Sequence, residues 1–460
     1  MLFSSQIFLL LFLPLTLAAY YALAFSNVWR LRILSLASFT FYGFWDWRFV
    51  PLLLGSVVLN WMIVRFFRRL RLPLLIVFGV LINLSLLAVC KYADFIAGSL
   101  AVMLGSEHQA WSLVLPLGIS FFTFQQVSYL VDARRGAVPA YTFERYMAYV
   151  TFFPQLIAGP IVRHNQLIPQ FEASPLRKGL YERLSRGTAL LTLGLIKKVF
   201  FADELAPIAN LGFDGVAQGA VLDAQSAWIA ALAYSLQLYF DFSSYSDMAI
   251  GLGLLFGFRL PINFDNPYRA VTIREFWRRW HMTLSSFFRD YVYIPMGGSR
   301  QSGPGVAIAV MVAMLLCGLW HGAGWTFVVW GALHGLAIVI SRAWSSLQWR
   351  LPVLLSWTLT LLFVIGAWVL FRAANFGAAW EMLAAMAGTH GWSSLPIDSK
   401  HFCYLLIGAL FAFFGLTNLQ IAESDWLAHR CVAAVVGFGL VLVTLRVGQG
   451  RTLEFIYFQF

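Results

Sequence analysis

The sequence predicts an all-α polytopic membrane protein, and three observations carry that expectation. Of its 460 residues, 60% are hydrophobic, 17% aromatic and only 12% charged, far from the usage of a soluble chain. Stretches such as Gln6 to Ala24, Pro73 to Cys90, Val306 to Trp320 and Val353 to Phe371 run almost without charge, and about 20 residues of helix cross a hydrocarbon core. The 41 residues from Gln301 to Ser341 contain no Asp, Glu, Lys or Arg. Roughly eleven or twelve transmembrane or re-entrant helices are expected on this count, some too short or too polar to span simply.

The first apolar run follows MLFSSQ. It has no positive n-region and outlasts the apolar core of a signal peptide, so it is expected to stay as a first helix. The net charge of +11 would point to nucleic acid in a soluble protein. Here the basic residues are placed against the bilayer first, and no nucleic-acid partner is expected. The connections Phe25 to Arg32 and Arg65 to Leu72 hold Arg30, Arg32, Arg65, Arg68, Arg69 and Arg71, whereas the Met1 end holds none. The positive-inside rule then puts those connections in the cytoplasm and the N-terminus outside.

Cys90, Cys317, Cys403 and Cys431 lack CxxC spacing and read as buried packing residues, with no metal site implied. There is no internal repeat, so residues 1–460 are expected to form one membrane domain, in which 1–90 are N-terminal helices, 115–335 a core and 351–460 C-terminal helices. The loop GTHGWSSLPIDSKH interrupts the last part. FFPQLIAGPIVR has two prolines and a glycine in an apolar run and reads as a broken or re-entrant segment, which needs protein or a cavity around it at membrane depth.

The segment Arg259 to Arg300 holds seven arginines against three acids, 7 − 3 = +4, and cannot cross lipid as a plain span. Thr272 with Glu275 three residues on is a capping-box pattern, and a helix from about Ile273 to Tyr291 should follow. On it Arg274, Trp277, Arg278, His281 and Ser285 would share one face. An interfacial helix attracting anionic lipid headgroups explains those arginines equally well.

CGLWHGAGWTFVVWGALHG sets His321 and His334 in an uncharged stretch. A polar ring in such surroundings is a functional candidate, although a core histidine bonded to a carbonyl would have the same pattern. Gly318, Gly322 and Gly324 permit close approach, with Trp320 and Trp325 as possible pocket walls. A neutral imidazole at His321 suits general-base chemistry on a hydroxyl attacking an acyl group. His334, thirteen residues on, would point about 220° away on an unbroken helix and is assigned to support. In DFSSYSD, Asp241 and Tyr245 share a helical face, and its acids are expected to pair with arginines of the middle region, residues 115–335.

PLGISFFTFQQVSYLVDARRG, FFPQLIAGPIVR, DFSSYSDMAIGLGLLFGF, FWRRWHMTLSSFFRDYVYIPMGG, GLWHGAGWTFVVWGALHG and FIYFQF, in this order along the chain, resemble the membrane-bound O-acyltransferases, in their bacterial alginate O-acetylation (AlgI-like) branch. The resemblance implies helices around a central funnel or tunnel, His321 as catalytic residue and His281 as the second polar position. It also implies acetyl-CoA as co-substrate with no permanently bound cofactor, and a periplasmic SGNH-hydrolase-like partner of a polysaccharide secretion machinery. The product would be an O-acetylated exopolysaccharide such as alginate or cellulose, made at a bacterial inner membrane. Arg278, Arg279 and Trp277 are added as an acyl-donor region, because guanidinium forks suit phosphates. D-alanyl transfer to teichoic acid and an acyl conduit without chemistry of its own are the alternatives.

Overall fold

The computed structural model describes residues 1–111, 113–392, 398–415, 430–447 and 453–458, together with Gln420, Ser424 and Gln449. Every regular element among them is helical. Five segments are long and apolar enough to cross a membrane: Asn27–Leu70, Pro73–Met103, Gly303–His321, Trp325–Ser346 and Val353–Arg372. Shorter apolar helices occupy Phe8–Ala22, Ser399–Phe414 and Cys431–Val447. Part of the GTHGWSSLPIDSKH loop, residues 393–397, lies outside the described residues.

The described chain divides into two compact units. The first comprises Met1–Thr192, Ser246–Pro261 and Asp425–Gln449. Its helices start and stop where local chemistry dictates. Ser26 accepts the Trp29 N–H ahead of the Asn27–Asp46 helix, Pro73 opens the next hydrophobic helix, and Arg71 ends Val50–Leu70 in the left-handed region at φ 58°. Three of these helices are tied by polar side chains rather than by apolar contact alone. Asn60 donates to Gln126 at 2.9 Å, Asn83 donates to Asn60 at 2.8 Å, and Gln126 donates to Ser56 at 2.8 Å. All but Ser56 are buried. Such bonds between helices serve where lipid removes the hydrophobic drive to associate.

The FFPQLIAGPIVR segment is interrupted as the prolines suggest, with only Phe153–Leu156 helical and each of those four residues buried. Part of its irregular backbone is bonded by buried side chains. The Phe153 N–H donates to the Ser38 hydroxyl at 3.1 Å, and Tyr149 donates to the Val162 carbonyl at 3.0 Å.

The second unit comprises Leu193–Tyr245, Ile262–Ser424 and Gly450–Phe460. Gly303–His321 and Trp325–Ser346 form its tightest helix pair: a Cβ on Gly318 would collide with the Phe327 carbonyl, and one on Gly331 with the Met314 carbonyl. Val353–Arg372 packs beside Trp325–Ser346. Leu36, Leu54, Leu81 and Leu359, on long helices of the two units, remain exposed, as lipid-facing residues do.

Two expectations are corrected here. Of the four cysteines only Cys317 is buried; Cys90 is half-buried, and Cys403 and Cys431 are exposed on helices. An apolar helix face turned to lipid accommodates a thiol as readily as a core does. Asp241 pairs with Lys198, at 2.6 Å, and among the described residues not with an arginine of the 115–335 region.

Candidate active site

The helix expected over residues 273–291 begins as anticipated and breaks early. Thr272 accepts the Glu275 N–H at 3.1 Å, and Glu275 accepts the Val271 N–H at 3.0 Å. The helix then runs Ile273–Arg279. Trp280 is extended and His281 is left-handed, with φ 43° and ψ 53°, before Met282–Phe288 resumes as a second helix. A non-glycine residue in that region costs roughly 1–2 kcal/mol. The proposed single face through Arg274, Trp277, Arg278, His281 and Ser285 is therefore split at its centre.

Asn263 compensates for the break. Its carbonyl accepts the Met282 N–H at 2.9 Å, and its side-chain Oδ1 accepts the Thr283 N–H at 3.2 Å and the Thr283 hydroxyl at 2.8 Å. These satisfy donors that a helix start leaves open. The same Oδ1 lies 3.2 Å from His281 Nδ1. The His281 ring is fully buried, and burial pushes its pKa down to about 3. The ring is therefore neutral around pH 7. Its Nε2 has no hydrogen-bond partner among the described residues.

His321 is the last residue of the Gly303–His321 helix. Gly322 follows in extended backbone, where a Cβ would run into the Phe327 ring. The break at 322–324 means that His321 and His334 stand on different helices, so the angle expected for an unbroken helix does not apply. The His321 ring is 2% exposed, with ring centroids of Trp320, Trp330 and Phe371 at 4.9, 5.2 and 5.2 Å. Trp325, expected as a wall, is 56% exposed; Trp330, one and a half turns on, takes that place. His281 and His321 come together, with centroids 6.4 Å apart. Phe242 and Trp320 flank His281 at 4.7 and 5.7 Å.

His334 does what a supporting residue does. Its Nδ1 accepts the Trp277 indole N–H at 3.2 Å, with both rings buried. Trp277 is thereby committed to the packing beneath the site. Arg279 is committed as well, to Glu275 at 2.9 Å and Asp265 at 3.3 Å. Arg278 is exposed and has no carboxylate partner among the described residues. Of the three residues assigned to the acyl donor, it alone keeps its donors available. A cavity of about 230 Å³ in the first unit is lined by Trp61, Val64, Arg65, Arg68, Tyr129, Pro139, Ala140 and Tyr141; neither histidine belongs to it.

Sequence reasoning missed Asn263, Trp330, Phe242 and Phe371. Asn263 sits inside the arginine-rich segment, but its neighbour across space is set by the kink at His281, and spacing shows no such kink. Chemically, the imidazole of His321 can take up and pass a proton, and the aromatic enclosure it shares with His281 can exclude water from a reactive acyl group.

Comparison with known proteins places this geometry in context. The MBOAT, membrane-bound O-acyltransferase, family model matches residues 106–377, a range that holds both histidines. The peptidoglycan O-acetyltransferase of Helicobacter pylori is 39% identical over 531 residues, covering 100% of this chain and 98% of the relative. The probable alginate O-acetylase AlgI of Pseudomonas putida is 40% identical over 500 residues, covering 100% of each. A teichoic acid D-alanyltransferase of Streptococcus thermophilus is 30% identical over 51% of this chain and 58% of its own length.

Proposed function

This chain belongs to the membrane-bound O-acyltransferase family, and we propose that it moves an acetyl group from cytoplasmic acetyl-CoA to the O-acetylation of a secreted polysaccharide. It is a multi-pass membrane protein and an O-acyltransferase. The relatives of matching length are named for acetyl transfer to alginate or peptidoglycan, and both names imply a glycan hydroxyl as the final acceptor. An exopolysaccharide such as alginate or cellulose is the acceptor class put forward, reached through a periplasmic SGNH-hydrolase-like partner. The chain sits in this reading in a bacterial inner membrane with its N-terminus outside.

The observation that carries the reading is the meeting of His321 and His281 inside a wall of Trp320, Trp330, Phe242 and Phe371. His321 acts as general base. It takes the proton of an attacking hydroxyl as oxygen bonds to the acyl carbon, and the proton passes to the thiolate as the carbon–sulfur bond breaks. The aromatic enclosure keeps water, the competing nucleophile, from the thioester. The guanidinium of Arg278 suits a phosphate of the donor.

Proteoliposomes supplied with acetyl-labelled acetyl-CoA and a hydroxyl acceptor test this directly. His321→Ala should lower transfer by about 10²–10⁴-fold while thermal unfolding is unchanged; undiminished transfer removes His321 as the base and favours a conduit. Likeness to the peptidoglycan enzyme across 98% of its length supports a second acceptor, and offering peptidoglycan and alginate in parallel separates the two. The D-alanyl alternative has weaker support, from a likeness over half the chain.

A further inference from the structure

We infer that Asn263 is a positioning residue for His281: it holds that imidazole as the Nδ1–H tautomer, so that His281 meets a bound substrate as a hydrogen-bond acceptor at Nε2. The inference deepens the transferase reading and rests on it for the word substrate, but the tautomer itself stands on geometry alone.

The orientation of the Asn263 amide is decided by a group with no choice of role. A peptide N–H only donates, and the Thr283 N–H lies 3.2 Å from the Asn263 atom concerned. That atom must be the carbonyl oxygen, not the amide nitrogen. The Thr283 hydroxyl, at 2.8 Å, donates to it too. His281 Nδ1 lies 3.2 Å from the same oxygen, and two acceptors do not bond to each other, so Nδ1 carries a hydrogen. A neutral imidazole has one N–H; Nε2 is then a bare lone pair.

Neutrality follows from the surroundings. The rings nearest His281 are those of Phe242, Phe264, Trp320 and His321. His321 is the titratable member of that set, and among the described residues no carboxylate bonds to His281. Nε2 is buried without a partner among the described residues, an arrangement that costs stability in a resting protein and is explained if a ligand completes it. The left-handed backbone of His281 points the same way, because strain of this kind persists where neighbours over-determine it. Asn263 supplies that over-determination with both its main chain and its side chain. In this tautomer His281 has no hydrogen to offer an oxyanion at Nε2. It accepts from an O–H or N–H of the substrate, which leaves proton removal to His321.

Solid-state NMR of the full-length protein in bilayers, with ¹⁵N in its histidine rings, reads the tautomer without needing activity. The chain has eight histidines, and His281→Gln identifies the signals of interest. A protonated Nδ1 with a bare Nε2 is expected in the wild type and in Asn263→Asp, which keeps the acceptor. Asn263→Leu, similar in size but without one, should shift His281 toward Nε2–H while the other histidine signals hold. Transfer should fall about 100-fold in Asn263→Leu and recover in Asn263→Asp. Nε2–H in the wild type overturns the inference, as does an unchanged tautomer in Asn263→Leu. The wild-type spectrum decides alone should the leucine variant not fold. A correct tautomer in a protein that transfers no acetyl group would sink the proposed reaction and not the role of Asn263.

Discussion

Lys198 donates to Asp241 over 2.6 Å inside the second unit, with the two side chains 2% and 3% exposed. Asp203 shares the same ammonium at 2.9 Å, and burial, partly offset by Lys198, raises its pKa to about 6. The second oxygen of Asp241 accepts the Ile456 N–H at 2.7 Å, and Lys198 also donates to the Glu454 carbonyl at 3.3 Å. The cluster therefore anchors the segment that holds Glu454 and Ile456. Lys198→Met should cost about 3–5 kcal/mol, since it strands buried carboxylates. The double variant Lys198→Met, Asp241→Asn should recover much of that loss. Thermal unfolding in detergent measures both. Limited proteolysis should find residues 453–458 cleaved faster in the single variant.

Gly331→Ala should destabilise by about 1–3 kcal/mol, the usual cost of overpacking. Its new methyl group would meet the Met314 carbonyl and lie 3.2 Å from the Gly318 Cα. The two helices would have to separate, and they carry His321 and Trp330, so transfer should fall although no reactive group has been removed. Gly55→Ala is the control: nothing lies within 4 Å of its Cβ position, and a helix gains from alanine there. Equal melting temperatures for Gly331→Ala and wild type would contradict the tight crossing.

Local chemistry was legible in the sequence, and distant chemistry was not. The start of the helix at Ile273 was readable from Thr272 and Glu275, because a capping bond spans three residues. Its end was not, because the left-handed turn at His281 depends on Asn263, eighteen positions upstream. Apolar runs and prolines announced the long helices and the broken segment at residues 152–163. They did not say which faces turn to lipid, so Cys403 and Cys431 were placed inside. Nothing in the spacing marks Lys198, since a lysine beside an apolar run ordinarily snorkels to the interface; only the fold brings Asp203 and Asp241 to it. The replacement of Trp325 by Trp330 has the same origin, in the break at Gly322 to Gly324, after which the helix restarts. The resemblance singled out the two histidines, whereas their 6.4 Å separation is a tertiary fact.

His334 and His321 should respond to substitution in opposite ways. His334→Phe removes the acceptor of the Trp277 N–H and leaves a buried donor unsatisfied, at a cost of about 1–3 kcal/mol. The melting temperature should drop while transfer per folded molecule stays close to wild type. Loss of transfer without loss of stability in His334→Phe would move this residue from support into the chemistry.

Acid should weaken the fold through His281. Its folded pKa of about 3 lies below the ordinary value of 6.5, so the fold prefers the neutral ring. The unfolded chain takes up a proton as pH drops below 6.5, the folded ring does not, and stability falls until the pH reaches the folded value. At one pKa unit per 1.36 kcal/mol, the loss from this one group is about 2 kcal/mol at pH 5. It is fully relieved above pH 6.5. His281→Asn cannot titrate, so the difference between its melting curves and those of the wild type isolates the contribution. Relative to that variant the wild type should lose about 2 kcal/mol as the medium is acidified from pH 7 to pH 5, because only the wild type loses stability through this group. Parallel curves across that range would mean that the ring is as easily protonated in the folded protein as in water, and would remove the case for a neutral acceptor beside His321.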